Sequence, residues 1–212
     1  LAPTKPPIGI AGAGLHGVAL AYFLTLRGEA PVLVDQVGVA AAASGKGGGF
    51  LARDWGSGPT EQLHKVGFAL HAELAHTLGV KTYRKVPVLS VTPGPSRRGQ
   101  GTGKGKIVAD ECTWLDGDIG GVRYMDKDGG AQVAPMELCT KMADAAIERG
   151  ATLRIGKVEG VVRGDDGVDA VIVDGEELAC SAFAVTMGPW ACLASDWFGI
   201  PIPMTGIKST SV

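Results

Sequence analysis

Pro7-Ile8-Gly9-Ile10-Ala11-Gly12-Ala13-Gly14-Leu15-His16-Gly17 is the stretch that decides the fold. An apolar run with helical spacing starts at Leu15, and Ala30-Pro31-Val32-Leu33-Val34 then closes on Asp35. Strand, glycine turn, helix and a second strand ending in an acid make the βαβ unit that binds dinucleotides. Gly12 serves the tight turn, Gly14 the approach of a pyrophosphate to the backbone, and Gly17 the close packing of helix on strand. The helix N-terminus aims unpaired N–H groups and a positive dipole end at the phosphates. Leu15 and His16 would meet them through their backbone. Asp35 stands 18 residues after Gly17, where a carboxylate accepts the hydroxyls of an adenosine ribose. The same charge opposes a 2′-phosphate, and so argues against NADP.

Pattern extends the reading outward. Leu15, Ala19, Tyr22, Phe23 and Leu26 recur at helical spacing, and Gly28 is the expected stop. Val32 to Val34 reads as a parallel strand covered on both faces. Pro59 suits the first turn of a helix running to Leu78, with Gly79 as its stop. Tyr83 to Thr92 reads as strand, and 93–106, rich in glycine and basic residues, as a flexible insertion. A helix is expected from Met136 to Arg149, with Leu138, Met142, Ala145 and Ala146 inward and Gly150 as its end. Thr152 to Val161 and Val168 to Val173 read as strands of a meander around a turn at Gly164 to Gly167. Ala182 to Thr186 is a last buried strand, and Ile200 to Ile207 begins another.

Composition narrows the class. A 212-residue chain with 45% apolar residues can build a real core. A net charge of −2 offers no basic field for nucleic acid and no polybasic membrane patch. Glycine is about twice its usual ~7% share, and it clusters in loops. Cys112, Cys139, Cys180 and Cys192 form no C-x-x-C pair, which favours a reducing compartment and argues against a disulfide scaffold or zinc. His64, His71 and His76 lack the i, i+4 spacing of a metal pair, so no metal site is expected. No apolar run approaches the ~18 residues of a transmembrane helix. The chain opens at Leu1 on a proline-rich lead, so organelle targeting stays open.

A second glycine-rich loop comes after the βαβ unit: Ser44-Gly45-Lys46-Gly47-Gly48-Gly49, preceded by Gln36 and the small residues Ala40 to Ala43. Small residues let a backbone lie against a planar ligand, and Ser44 with successive N–H groups can form an anion-binding concavity. A nicotinamide dehydrogenase has no use for this loop, so a flavin dinucleotide is the better reading.

The fingerprint, this loop and the later turn Met187-Gly188-Pro189-Trp190 resemble the flavoprotein oxidases that include D-amino-acid oxidase, glycine oxidase and sarcosine oxidase. S-G-K-G-G-G-F-L-A-R-D-W, from Ser44 to Trp55, is most similar to a fungal and plant oxidoreductase branch. A yeast member of that branch is tied to late-endosome-to-Golgi traffic. The resemblance implies an α/β fold: a Rossmann-like FAD-binding domain, parallel sheet with β-meander, and the beginning of an interleaved substrate domain. It divides the chain into a first FAD-binding segment (1–82), a substrate-domain excursion (83–130), a second FAD-binding segment (131–192) and a substrate-domain start (193–212).

It also implies FAD held noncovalently, since Lys46 stands about where some relatives carry a histidine bonded to the flavin. The implied cofactor contacts are Gly12, Gly14, Leu15, His16, Gly17, Asp35, Gln36, Ser44, Gly45, Lys46, Gly47, Gly48, Val158, Gly188 and Trp190. Val158 would meet the adenine through its backbone, and Gly188 would let the chain pass close to the ribityl and pyrophosphate. The implied activity is oxidation of a C–N bond of a small amine or amino acid by hydride transfer to flavin. The alternative is a flavin-fold accessory protein in endosomal traffic, with trafficking partners and no turnover. The implied location is cytoplasmic, with endosomal association. Relatives run on well past Val212, so a fragment or a truncated gene product is expected, one that binds FAD poorly when expressed alone. Arg53, Asp54 and Arg84 read as structural ion-pair members, and no catalytic residue is named.

Overall fold

The computed structural model describes residues 5–93 and 119–206. Along the chain the elements are β1 (Ile8–Ala11), α1 (Leu15–Thr25), β2 (Val32–Asp35), α2 (Ala43–Lys46), β3 (Phe50–Ala52) and α3 (Glu61–Leu78). Next come β4 (Arg84–Lys85), β5 (Val88–Pro93), β6 (Ile119–Asp126), β7 (Gly130–Gln132) and α4 (Pro135–Glu148). The series ends with β8 (Thr152–Ile155), β9 (Val158–Arg163), β10 (Val168–Val173), β11 (Glu176–Ala179), β12 (Ala182–Val185) and α5 (Ala194–Phe198). Two 3₁₀ turns lie at Gly58–Thr60 and Gly188–Leu193.

Contacts group the chain into two units, one of Leu1–Gly47 with Ala134–Val212 and one of Gly48–Val133. The first is an α/β unit. Its parallel sheet runs β12-β1-β2-β8, so β1 is central, with Ile8 opposite Ala182 on one side and Gly9 opposite Val32 on the other. A central parallel strand must be apolar on both faces, and Ile10 and Ala11 are fully buried. The β9-β10-β11 meander packs Val158, Val171 and Val173 with Ala11 and Val34 of the sheet. Helices α1 and α4 pack on each other, and Leu138, Cys139, Met142, Ala143, Ala145 and Ala146 make the buried stripe of α4. Burying side chains such as Leu138 and Met142 contributes about 1.5–3 kcal/mol each.

The second unit contains a small antiparallel sheet, β3-β7-β4, the antiparallel pair β5-β6, and α3. Arg53 pairs with Asp54 at 2.7 Å, which raises the guanidinium's pKa first through the hydrogen bond and then through charge. Arg84 donates to Gln132. His71 Nδ1 lies 2.7 Å from Gly67 O, and no metal-binding cluster forms among the described residues.

Three helix ends fall where glycine was expected. At Gly28, Gly79 and Gly150 φ is positive, and each pairs back onto the last helical turn. Gly150 N donates to Ile147 O and Ala151 N to Ala146 O, the two bonds of a Schellman cap.

Other expectations need correction. In α1 the buried residues are Gly17, Val18, Ala21, Tyr22 and Thr25, while Leu26 is 52% exposed. The helix is apolar on nearly every side, so periodicity cannot choose its face. The run from Thr152 to Val161 is two strands. Gly156 N closes the parallel pairing on Asp35 O, and Lys157 N then turns to Asp174 Oδ1. Asp174-Gly175 forms the two-residue turn between β10 and β11, with φ of 50° and 81° as a type I′ turn requires. Tyr83 to Thr92 breaks likewise into β4 and β5. Residues 200–206 form no strand, since Pro201 and Pro203 lack the N–H groups a ladder needs. Residue 207, and the insertion from 94 to 106, lie outside the described residues.

Candidate cofactor site

The glycine turn is held by atoms from four other parts of the first unit. Gly12 has φ of +98°, and its N–H donates to Val34 O at 2.7 Å. A Cβ at Gly12 would lie 2.6 Å from Thr186 O and 3.1 Å from Met187 Cα. One at Gly14 would lie 3.0 Å from Ser44 Oγ, and one at Gly17 would overlap the Gly12 carbonyl oxygen. Gly12 and Gly17 are therefore required by protein backbone, while a Cβ at Gly14 would press on the Ser44 hydroxyl.

Asp35 sits at the C-terminal end of β2 and works inward. Its Oδ2 accepts from Ala13 N at 2.9 Å, and its Oδ1 accepts from Val37 N and Gly38 N, both at 2.9 Å. Three backbone N–H groups thus use most of the carboxylate's acceptor capacity. Asp35 ties the glycine turn to the exit of β2 and also lines the cleft.

The Ser44 loop is a short helical turn rather than an open loop. Ser44 Oγ accepts from Leu15 N at 2.9 Å, satisfying one of the N–H groups that have no partner inside α1. Its own O–H remains able to donate toward an anion at the helix start. Ala40 N donates to Ala13 O, with Ala40 at a φ of 52° that costs an L-residue about 1–2 kcal/mol. A Cβ on Gly45 would overlap the Ala40 carbonyl oxygen.

These elements enclose a cleft of about 410 Å³, within the range of cofactor sites. It is lined by Gly12, Gly14, Leu15, His16, Asp35, Gln36, Ser44, Lys46, Val158, Gly188 and Trp190. Gly17 and Gly45 lie behind the lining, where they allow close packing. Gly47 is outside it, and Gly48 belongs to the second unit. The expected turn around Trp190 is a 3₁₀ turn, with Gly188 at φ 56° and Trp190 55% exposed.

Lys157, Thr186, Met187 and Leu193 also line the cleft, beyond the residues that the sequence singles out. Met187 does open the Met187–Trp190 turn, and Lys157 adjoins Val158. Thr186 carries no local signal: it reads as the last residue of a strand, and its partners are 174 and 175 residues away. The remaining first-turn N–H groups of α1, the Ser44 hydroxyl and the Lys46 ammonium suit an anion, and Lys157, paired with Glu159 at 3.4 Å, stands beside them. Met187, Pro189 and Leu193 suit a flat apolar ligand. The residues present therefore fit a dinucleotide with a diphosphate centre.

Fold and cleft together define a Rossmann-like dinucleotide-binding unit with a meander on its sheet. Residues 8–212 match the family described as DAO, FAD dependent oxidoreductase, and the chain belongs to that family. A curated relative, "Putative oxidoreductase C1F5.03c" of Schizosaccharomyces pombe, is 27% identical over 212 aligned positions, covering 86% of this chain and 54% of its own. Glycine oxidase from Bacillus cereus is similar in structure, with a TM-score of 0.79, 21% identity and coverage of 92% of this chain and 59% of that one. L-amino acid deaminase from Proteus vulgaris gives a TM-score of 0.75 at 20% identity, covering 95% of this chain and 51% of that one. The chain thus spans about half the length of the curated relative. FAD is the cofactor of the family to which it belongs. Among the described residues no helix is long and apolar enough to cross a membrane.

Proposed function

We propose that the chain is the nucleotide-binding part of an FAD-dependent oxidoreductase that oxidises a C–N bond of a small amine or amino acid. The observation that carries this reading is the turn from Gly12 to Leu15, pinned by Asp35 and Ser44 at the mouth of the cleft. Membership of the FAD-dependent family supports the cofactor. Structural relatives named as an oxidase and a deaminase of amino acids support the substrate class.

In this reading Gly12, Gly14, Leu15, His16 and Ser44 meet the pyrophosphate, and Asp35 and Gln36 the ribose. Val158 lies at the adenine, and Lys46, Gly188 and Trp190 toward the flavin. Gly17 and Gly45 support the loops from behind, and Gly47 and Gly48 flank the flavin-side loop. Lys46 leaves the flavin noncovalent. The bound flavin supplies acceptance of a hydride equivalent at its ring, and the chain supplies binding and orientation. The functional segments are 1–82, 83–130, 131–192 and 193–212. The accessory-protein alternative rests on resemblance alone, and no residue of the cleft favours it.

The test is purification of full-length protein, identification of the ligand it releases, and anaerobic titration with an amine and amino-acid panel. Released FAD and bleaching of its absorbance by one substrate class are the expected results. Recovery of nicotinamide nucleotide alone would sink the reading.

A further inference from the structure

Thr186, a polar residue of the cleft lining, has no part in that assignment. Thr186 Oγ1 lies 2.7 Å from Ala11 O and 2.9 Å from Gly12 O, so one hydroxyl proton serves two carbonyl oxygens. The backbone of the same residue is engaged as well. Thr186 N donates to Ala11 O at 2.8 Å, and Thr186 O is the atom that a Cβ on Gly12 would meet. Thr186 Oγ1 would also lie 2.8 Å from a Cβ on Gly17. From the end of β12, this residue touches both the first and the third glycine of the turn.

The chemistry of that contact is specific. A helix-start turn attracts an anion through its N–H groups, whereas a carbonyl oxygen in the same place repels one. Gly12, with φ at +98°, has no Cβ to restrict the peptide after it. The planar Gly12–Ala13 peptide is therefore oriented from its two ends, by the bond from Ala13 N to Asp35 and by the group that the carbonyl itself bonds to. The Thr186 hydroxyl is such a group, and it also engages the neighbouring Ala11 carbonyl.

We infer that Thr186 is a positioning residue: it holds the Ala11 and Gly12 carbonyls so that the turn presents N–H groups to a diphosphate. The inference rests on the reading of the cleft as a dinucleotide site. It concerns the diphosphate alone, not the adenine or the ring system.

The test compares full-length wild type with Thr186→Val and Thr186→Ser. Valine keeps the shape and removes the donor; serine keeps the donor. Calorimetric titrations with FAD, ADP and adenosine are combined with thermal unfolding of the ligand-free protein. Loss of about one hydrogen bond's worth of alignment should weaken FAD and ADP roughly five- to tenfold in the valine variant. Adenosine, which has no phosphate, should bind as in wild type, and serine should restore ADP affinity to within about twofold. Unchanged ADP affinity in Thr186→Val overturns the inference. So does equal weakening of ADP and adenosine, which would mark a merely structural residue. Wild type that takes ADP but no FAD sinks the flavin reading instead, and the ADP comparison still decides the role of Thr186.

Discussion

The two glycine-rich loops look alike in sequence and differ in what surrounds their glycines. In the Gly12–Gly17 turn each glycine meets a protein atom that leaves no room for a Cβ without movement: Thr186, Ser44 or the turn's own carbonyl. In the second loop Gly45 is so confined, while Gly47 and Gly48 are not. Gly47 would place a Cβ in ordinary contact with Pro135, and a Cβ on Gly48 would meet no described atom within 4 Å. The first loop is shaped by the fold before any ligand arrives. The second has spare room at Gly47 and Gly48, so the chain itself does not demand glycine there.

The comparison can be broken by substitution, and the largest effect should come from Gly17→Ala. Its methyl would overlap the Gly12 carbonyl, and chemical denaturation should show a loss of about 3 kcal/mol or more. Next is Asp35→Ala, which leaves three backbone N–H groups without their charged acceptor. FAD affinity should fall by about 1.5–3 kcal/mol, roughly tenfold to a hundred-and-fiftyfold in Kd by titration. The ligand-free protein should also unfold at lower temperature, because Asp35 bonds the turn in the absence of ligand. An unchanged melting temperature would show that these three bonds contribute little.

Gly45→Ala should cost about 1–3 kcal/mol, since the Ala40 carbonyl and the Met136 side chain must both yield. The smallest effect belongs to Gly48→Ala, which should leave stability within about 0.5 kcal/mol. If FAD affinity nevertheless drops in Gly48→Ala, a ligand requires that glycine. If stability drops as far as in Gly17→Ala, the contrast between the loops is false.

Legibility in the sequence tracks the range of the interactions. Helix stops at Gly28, Gly79 and Gly150 depend on bonds within six residues, and each is readable. The glycine turn is readable because strand, turn and helix are contiguous. The break at Gly156 is not, since the partner that turns the chain there is Asp174, 17 residues beyond Lys157. The buried face of α1 is hidden by its lack of a polar side: Val18 and Ala21 are interior, and Leu26 is not. In the cleft, the fingerprint residues are legible from their spacing alone. Thr186 and Lys157 are not, because their link to the turn or the cleft exists only after the sheet has formed.

The pairing of β12 with β1, Ile8 opposite Ala182, also orders events during synthesis. β1 leaves the ribosome before its second neighbour, which is encoded some 174 residues later. At about 5–20 residues per second, β1 waits roughly 10–35 s with one edge unpaired. During that interval the fingerprint turn lacks the Thr186 contacts that hold its carbonyls. A nascent chain is then a half-sheet with an apolar open edge, the kind of surface that chaperones cover and that aggregates in their absence.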